Sequence, residues 1–203
     1  AAKGVDVAIS FEDGAGDPRS AVIGRRGTTA WTLTVTGKPA HSSQIFRPDI
    51  GYGAIFEAAR ILNAFREALA GEPHLTFNPA LVVGGTTADL DVTQARGSAF
   101  GKDNVIPEHA IVSGDLRALS TGQFAEARKR METIVASSSL APTKAAIAFE
   151  EGYPPLAPTE GNRRLLAMYD QASRDVGAGP VTAVDPDRAG AADVSFLAGQ
   201  VPM

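Results

Sequence analysis

Several kinds of functional site are excluded because this 203-residue sequence lacks the residues that build them. It contains no cysteine, which excludes disulfides, thiolate metal sites and a thiol nucleophile. None of its three histidines, His41, His74 and His109, begins an HExxH or His-x-Asp motif, so no local metal site is predicted. No apolar stretch reaches the roughly 18 residues that would predict a membrane span.

Positive charge is also scarce. The 19 Lys and Arg residues are outnumbered by 23 Asp and Glu, which gives a net charge of −4. This balance makes no electrostatic case for binding nucleic acid or an anionic membrane. Ser42 and Ser43 adjoin His41, but no G-x-S-x-G nucleophile elbow is present, which disfavours a serine hydrolase.

The remaining composition is that of a folded protein. Hydrophobic residues make up 44% and charged residues 21%, which is enough apolar surface for a core. At about 150 residues per domain, the length predicts one or two domains. The sequence starts at Ala1 without a methionine and ends in an apolar run at Met203, so we expect a piece of a longer protein.

The middle of the chain alternates strand and helix patterns. Every-other-residue alternation predicts four strands there, at 28–36, 74–84, 110–118 and 144–150. Apolar spacings of three and four predict two helices, at 51–70 and 121–137. A short strand at 88–93 is expected in the long connection between the second and third strands. The order β-α-β-β-α-β over 28–151 predicts an α+β domain of the ferredoxin-like, split βαβ type, with two helices on one face of an antiparallel sheet.

Shorter patterns lie on either side of this domain. Residues 5–11 alternate as a strand that ends at Glu12, and residues 13–27 are typical of a loop. After the prolines of 154–158, a helix is predicted over 160–176, with an apolar stripe at Leu165, Tyr169, Ala172 and Val176. A glycine-, alanine- and aspartate-rich turn follows at 185–193.

Four residues in these patterns have side chains or positions suited to chemistry. His41 follows a strand, where a lone histidine is typically a turn residue that bonds a carbonyl. Arg117 is either a solvated cation or a fork-shaped donor to a carboxylate. Asn104 is either a turn residue or a polar ligand donor, and Glu12 is either an exposed acid or a carboxylate at the end of a strand, where α/β enzymes place ligands.

Four segments, taken in order, resemble the M20 peptidase family of glutamate-carboxypeptidase-like and acylase-like binuclear zinc hydrolases. They are Ile9-Ser-Phe-Glu12, Thr34-Val-Thr-Gly-Lys-Pro-Ala-His41-Ser-Ser, Asn104-Val-Ile-Pro107 with Gly114-Asp-Leu-Arg117, and Gly190-Ala-Ala-Asp193. The resemblance implies a lid and dimerisation domain over 28–151, inserted into an α/β zinc-hydrolase domain. Parts of that catalytic domain would then be 1–27 and 152–203.

The resemblance also implies a role for each matched residue. Glu12 would bind one of two zinc ions in the intact parent. His41 would be catalytic, reaching the active site of the partner subunit to stabilise the oxyanion. Asn104 and Arg117 would bind the region of the substrate's carboxylate, and the loop of Gly190 would present its backbone amides to the substrate. The substrate would be a small peptide or an N-acyl amino acid, and the protein would form a homodimer through the lid.

The family's other metal ligands and its general base are not in this sequence. Its His-x-Asp motif, bridging aspartate and Glu-Glu pair are expected upstream of Ala1, and its last zinc-binding histidine downstream of Met203. The resemblance implies that the parent is a carboxypeptidase, a dipeptidase or an N-acyl-amino-acid deacylase. Because those ligands are missing, this segment alone is expected to hold no zinc and to be inactive. An alternative is a dimerisation or binding module without catalytic activity; an unrelated ferredoxin-like regulatory domain would leave the flanking segments unexplained. The compartment stays open between cytoplasm and periplasm, since any leader would precede Ala1.

Overall fold

The computed structural model describes residues 4–11, 16–137 and 139–203. Its strands and helices, in chain order, are β1 (Ser20–Ala21), β2 (Gly27–Thr36), α1 (Gly53–Leu69), β3 (Thr76–Gly85), β4 (Thr87–Asp91), β5 (Arg96–Phe100), β6 (His109–Ala118), α2 (Thr121–Ala136), β7 (Lys144–Phe149), α3 (Glu160–Asp175) and β8 (Thr182–Ala183). None of the helices in this part of the chain combines the length and apolarity that crossing a bilayer requires.

A four-stranded sheet organises the middle of the chain. Its strands lie in the order β3-β6-β2-β7, and each neighbouring pair is antiparallel. The longest ladder joins β2 to β6, from Gly27 opposite Ala118 to Thr36 opposite His109. With α1 and α2 as the connections, the chain follows the β-α-β-β-α-β order, which confirms the predicted α+β class.

The core lies between this sheet and its two helices. On β2, the alternating residues Trp31, Leu33 and Val35 are fully buried, and Thr34 between them is exposed. Phe65 of α1 meets Trp31 edge-on, with the ring centroids 6.0 Å apart. Met131 of α2 is also fully buried, as the helical spacing predicts.

Helix α1 is rotated relative to the stripe that the sequence predicts. Ala58, Phe65 and Leu69 are buried as expected, but Ile55 is 47% exposed. A buried acid, Glu57, lies on the core side instead. The carboxylate of Glu57 accepts two hydrogen bonds from Arg60, at 2.7 and 2.9 Å, and one from the Leu140 N–H, at 2.9 Å. These bonds satisfy a charge that would otherwise be unstable in the interior.

Strand β3 changes face half-way along, which the predicted single alternation missed. Its register against β6 shifts between Pro79 and Leu81. Proline provides no N–H to a ladder and is typical of edge strands and bulges, which is where it lies here. Beyond the shift, Leu81 pairs with Ser113 and turns away from the helices, while Val82 turns towards them. The β4–β5 hairpin, in place of the single short strand predicted at 88–93, folds over the turned side chains.

The predicted strand at 5–11 is wrong for the described residues, and Glu12 lies outside them. Val5, Val7, Ile9 and Phe11 are all exposed. The segment has one backbone hydrogen bond within the described chain, from the Ala8 N–H to the Pro202 carbonyl at 3.0 Å. Alternation gives a strand only where a neighbouring strand completes the ladder, and here none lies alongside. The loop predicted at 13–27 does hold one short strand, β1, which pairs in parallel with β8.

Helix α3 forms where predicted, but its apolar stripe is not buried. Tyr169 is 44% exposed and Val176 is 80% exposed. The helix is held by polar contacts instead: the buried Asn162 side chain donates to the Ile23 carbonyl at 3.0 Å, and the Tyr169 hydroxyl donates to the Pro18 carbonyl at 2.8 Å. A stripe shows which residues could be buried, and the structure shows which have a surface to pack on.

Candidate functional site

His41 lies in an exposed turn just beyond the end of β2. It precedes a short 3-10 turn, Ser42–Gln44, and its side chain caps that turn by accepting from the Ser43 N–H at 3.2 Å. Because a backbone N–H can only donate, Nδ1 is the acceptor, and the proton of the neutral ring is on Nε2. Within the described residues nothing pairs with Nε2. The ring therefore presents an N–H donor to solvent at the rim of the domain.

Asn104 lies beside His41, although the two are far apart in sequence. His41 forms an antiparallel bridge with Val105, and the Ser42 N–H donates to the Asn104 carbonyl at 2.9 Å. The Ile106 N–H donates to the Ala40 carbonyl at the same distance. These bonds hold the two loops together, so that His41 and Asn104 form one polar rim.

Arg117 lies at the opposite end of the same sheet. On β6 it stands opposite Thr28 of β2, whereas His109 stands opposite Thr36, next to the turn of His41. Eight residues of extended strand separate these two positions, or about 27 Å. One chain therefore does not bring His41 and Arg117 together.

The Arg117 side chain is oriented by a neighbour on its own strand. Its Nε donates to the Asp115 carboxylate at 2.7 Å, which leaves the two terminal Nη groups for a ligand. The guanidinium borders a groove of ≈ 400 Å³ on the sheet face away from the helices. Small side chains, including Thr28 and Ser113, line that groove, and Val92 from the hairpin closes one side.

Gly190 lies at the Arg117 end of the sheet. The Arg25 guanidinium donates to the Gly190 carbonyl at 2.8 Å, and Arg25 comes two residues before β2. The backbone of Gly190 is not in the left-handed region, and a Cβ added to this residue would meet no atom within 4 Å. Neither conformation nor space in this fold calls for glycine at this position. Its effect is to leave the backbone uncovered, as a site for a ligand would require.

A further cluster at this end was not predicted from the sequence. One donor atom from each of His74, Asp185 and Asp187 lies within 4.8 Å of the others. His74 Nδ1 is 3.1 Å from the Asp187 carboxylate, and Arg26 Nε is 3.4 Å from the same oxygen. No sequence spacing signals a contact between residues 74 and 187; only the fold creates it.

This cluster does not fit a catalytic zinc centre. Its donor types are those of zinc, but Arg26 already places a positive charge on the carboxylate oxygen that would bind the metal. Asp187 instead contacts both Arg26 and His74, which come from different parts of the chain. The loop that carries His74 is held by Gln123 and Arg130 of α2, which both donate hydrogen bonds to the Glu72 carboxylate. These bonds, with that of Gln123 the larger cause, hold the pKa of Glu72 below its usual 4.5.

Comparison with known proteins identifies a matching family. The family model described as the peptidase dimerisation domain of M20 matches residues 23–141, more than half of the chain. The curated IAA-amino acid hydrolase ILR1-like 4 from Arabidopsis thaliana is 32% identical over 87 residues. That alignment covers 42% of this chain and 20% of the plant protein, so the chain spans about a fifth of that relative.

Solved structures share the fold at low sequence identity. A tripeptidase from Staphylococcus aureus superposes with a TM-score of 0.65 at 19% identity, covering 91% of this chain and 44% of the tripeptidase. An amidase of the hydantoinase/carbamoylase family from Burkholderia phymatum gives a TM-score of 0.62 at 16% identity, covering 90% of this chain and 41% of the amidase. The chain thus corresponds to less than half of each of these proteins.

Proposed function

Since the chain belongs to the M20 peptidase dimerisation-domain family, we propose that it is part of a hydrolase that cleaves a peptide or amide bond next to a free carboxylate. Residues 28–151 would be its lid and dimerisation domain, and 1–27 and 152–203 would belong to the catalytic domain. The names of the similar proteins support the hydrolysis of a peptide or amide bond: a tripeptidase, an amidase and an IAA-amino acid hydrolase all break C–N bonds. Carboxypeptidase, dipeptidase and deacylase activities all lie within it.

The distance between the two groups of candidate residues supports a catalytic site shared between two subunits. His41 and Asn104 lie at one end of the sheet, and Arg117 and Gly190 at the other, about 27 Å away along the strands. A substrate of two residues is only about 7 Å long. If all four residues act on one substrate, two chains must supply them, with the His41 rim of one subunit placed against the Arg117 end of the other. The catalytic unit is then a dimer.

Each side chain has a distinct role in this arrangement. The His41 Nε2–H donates to the oxygen that gains charge as the tetrahedral intermediate forms, and Asn104 lies beside it on the rim. The free Nη groups of Arg117 bind the substrate carboxylate as a two-point clamp. The backbone amides at Gly190 face the same substrate. When bound, zinc would supply an activated water; Glu12 is a proposed ligand for one of the two ions.

An exposed apolar surface on the lid suits contact between two such chains. Phe46, Tyr52 and Phe56 form a ring cluster at the start of α1, with Phe46 centroids 5.3 Å from Tyr52 and 5.9 Å from Phe56. All three are at least 39% exposed, as is Ile55. Val82 on the edge strand β3 is 63% exposed, on the helix side of the sheet opposite Val112. Large exposed apolar patches of this kind typically mark an interface.

We therefore expect the double substitution Phe56→Glu and Val82→Glu to convert a dimer into a monomer. Two buried like charges facing their symmetry copies would be strongly unfavourable at a two-fold interface. The measurement is molar mass by light scattering, with circular dichroism to check the fold. Met168→Glu is the matched control, since Met168 is 68% exposed on α3, outside the lid. Dissociation by Met168→Glu alone would place the interface elsewhere.

The 203-residue chain alone is expected to retain less than one zinc ion per molecule and to hydrolyse neither dipeptides nor N-acyl amino acids. A catalytic zinc needs about three protein ligands and an open position. The His74, Asp185 and Asp187 cluster has the ligand number, but Arg26 lies against the Asp187 oxygen that would bind the metal. Elemental analysis after gel filtration and an amine-release assay check this. Asp187→Asn is included to show whether any bound zinc is held by the His74 cluster. Stoichiometric zinc together with activity would contradict the expectation.

A dimerisation module without catalytic activity remains the second candidate. It is favoured by one observation: the groups that the described residues offer to a substrate, the His41 ring and the Arg117 guanidinium, are hydrogen-bond donors. The reading frame around this segment distinguishes the two candidates. A His-x-Asp motif and a Glu-Glu pair upstream would support the hydrolase, and their absence from the whole protein would support the module.

A further inference from the structure

Two consecutive arginines, Arg25 and Arg26, hold one loop of the segment that follows α3. Arg25 Nη1 donates to the Gly190 carbonyl at 2.8 Å, and Arg26 Nη2 donates to the Asp187 carbonyl at 3.0 Å. Arg25 is a charged residue with only 4% of its surface exposed. A buried guanidinium is unfavourable unless it is well bonded, so its position is specific. The pair fixes both ends of the loop 187–190.

Arg25 is held by the second flanking segment, and Arg26 by the base of the lid. The Arg25 backbone exchanges two hydrogen bonds with Leu156, at 2.8 and 2.9 Å. Arg26 Nη1 donates to the Thr76 hydroxyl at the start of β3, at 3.1 Å. His74, from the same lid loop, adds its contact with Asp187. The loop is therefore attached to the lid rather than only to its own segment.

The Arg25 contact also sets the direction of a backbone amide. In a trans peptide the carbonyl and the following N–H point in opposite directions. With the Gly190 carbonyl bound to Arg25, the Ala191 N–H must point away from Arg25. Within the described part of the chain, neither the Gly190 N–H nor the Ala191 N–H donates a hydrogen bond. Gly190 itself is exposed.

We propose that Arg25 and Arg26 are positioning residues: they hold the loop 187–190, which Arg26 and His74 connect to the base of the lid, and the Arg25 contact aims the Ala191 amide at a carboxylate or carbonyl oxygen of the substrate. This inference rests on the proposed function for the identity of that ligand. The clamp itself rests only on the contacts above.

The test is a comparison of backbone order at residues 190 and 191 by nitrogen-15 NMR relaxation on the 203-residue chain. In the wild type we expect order parameters near the rigid value of about 0.85, falling below about 0.6 in Arg25→Met. Arg25→Lys keeps the charge but not the fork, and should lie between them. Arg188→Met is the matched control, because Arg188 is an exposed arginine on the same loop. An unchanged order parameter in Arg25→Met overturns the clamp.

A second measurement separates the clamp from the proposed function. Titration with N-acetylglycine, as a small carboxylate probe, should shift the Gly190 and Ala191 amide signals in the wild type and in Arg188→Met. In Arg25→Met the affinity should be at least tenfold weaker. If the order parameters fall as expected but the wild-type amides do not respond to the probe, the clamp stands and the substrate-facing role of Gly190 is wrong.

Loss of the buried Arg25 guanidinium could also unfold the chain. If the Arg25→Met spectrum shows an unfolded chain, Arg25→Lys and Arg26→Gln provide the answer. Arg26→Gln should lower the order parameter at Asp187 more than at Gly190, because each arginine holds its own carbonyl. The proposal would be overturned if Arg25→Lys and Arg26→Gln both left the order parameters of Asp187 and Gly190 at their wild-type values.

Discussion

Replacing His41 by alanine in the full-length dimer should lower kcat and kcat/KM together by about 100- to 1,000-fold, the usual effect of losing one oxyanion donor. The Nδ1 of His41 is occupied by Ser43, so the ring offers Nε2–H to a charge that develops only in the transition state. Substrate binding should change little. Steady-state kinetics on an N-acyl amino acid or a dipeptide would measure this.

Arg117→Ala is the contrasting variant, because the carboxylate that we propose Arg117 binds is present before the reaction. It should raise KM, whereas His41→Ala should not. Subunit exchange then tests the cross-subunit role: mixing His41→Ala chains with chains that lack the metal ligands should restore part of the activity. If exchange is verified and no activity returns, His41 is a turn histidine that acts only by capping Ser43.

Replacing Arg60 by methionine should lower the free energy of unfolding by about 3–5 kcal/mol, as expected when one partner of a buried ion pair is removed. Glu57 is fully buried, and Arg60 supplies two of the three hydrogen bonds that its carboxylate receives. Without Arg60, a buried carboxylate retains only the Leu140 N–H. Urea denaturation followed by circular dichroism would measure the change.

Two further variants identify the cause of that loss. Arg66→Met is the matched control on the same helix; its partner Glu67 and Arg66 itself are both exposed, so the change should stay below about 0.5 kcal/mol. The double variant Glu57→Gln with Arg60→Met removes the buried charge as well, and should recover part of the stability. Equal losses in the single and double variants would show that packing, and not the unpaired charge, is responsible.

The parts of the fold that the sequence predicts well are those whose partners lie within the same domain. Trp31, Leu33 and Val35 alternate because β2 is central and covered by two helices on one side. The prediction fails at Leu81, because the register shift after Pro79 moves the following side chains to the opposite face of the sheet. The residue types around Leu81 do not reveal that shift. It fails again at Val176, whose apolar side chain has no surface to pack on.

The candidate site divides in a similar way. His41 and Asn104 could be singled out from local patterns, and the structure brings them together. Their separation from Arg117 could not be predicted from spacing, because it depends on which ends of antiparallel strands meet. The contact between His74 and Asp187 joins segments more than a hundred residues apart in the chain, and no periodicity records such a contact.

The register shift in β3 also bears on how association stops at a definite size. A free edge strand offers its backbone to any passing strand, and uncontrolled growth along such edges leads to fibres. Here the edge is interrupted between Pro79 and Leu81, so a second strand can extend without a break only over the short stretch that ends at Gly85. Two copies that meet there across a two-fold axis use up that stretch on both sides. In a dimer formed through this edge, the register shift would leave a third strand no regular place to add.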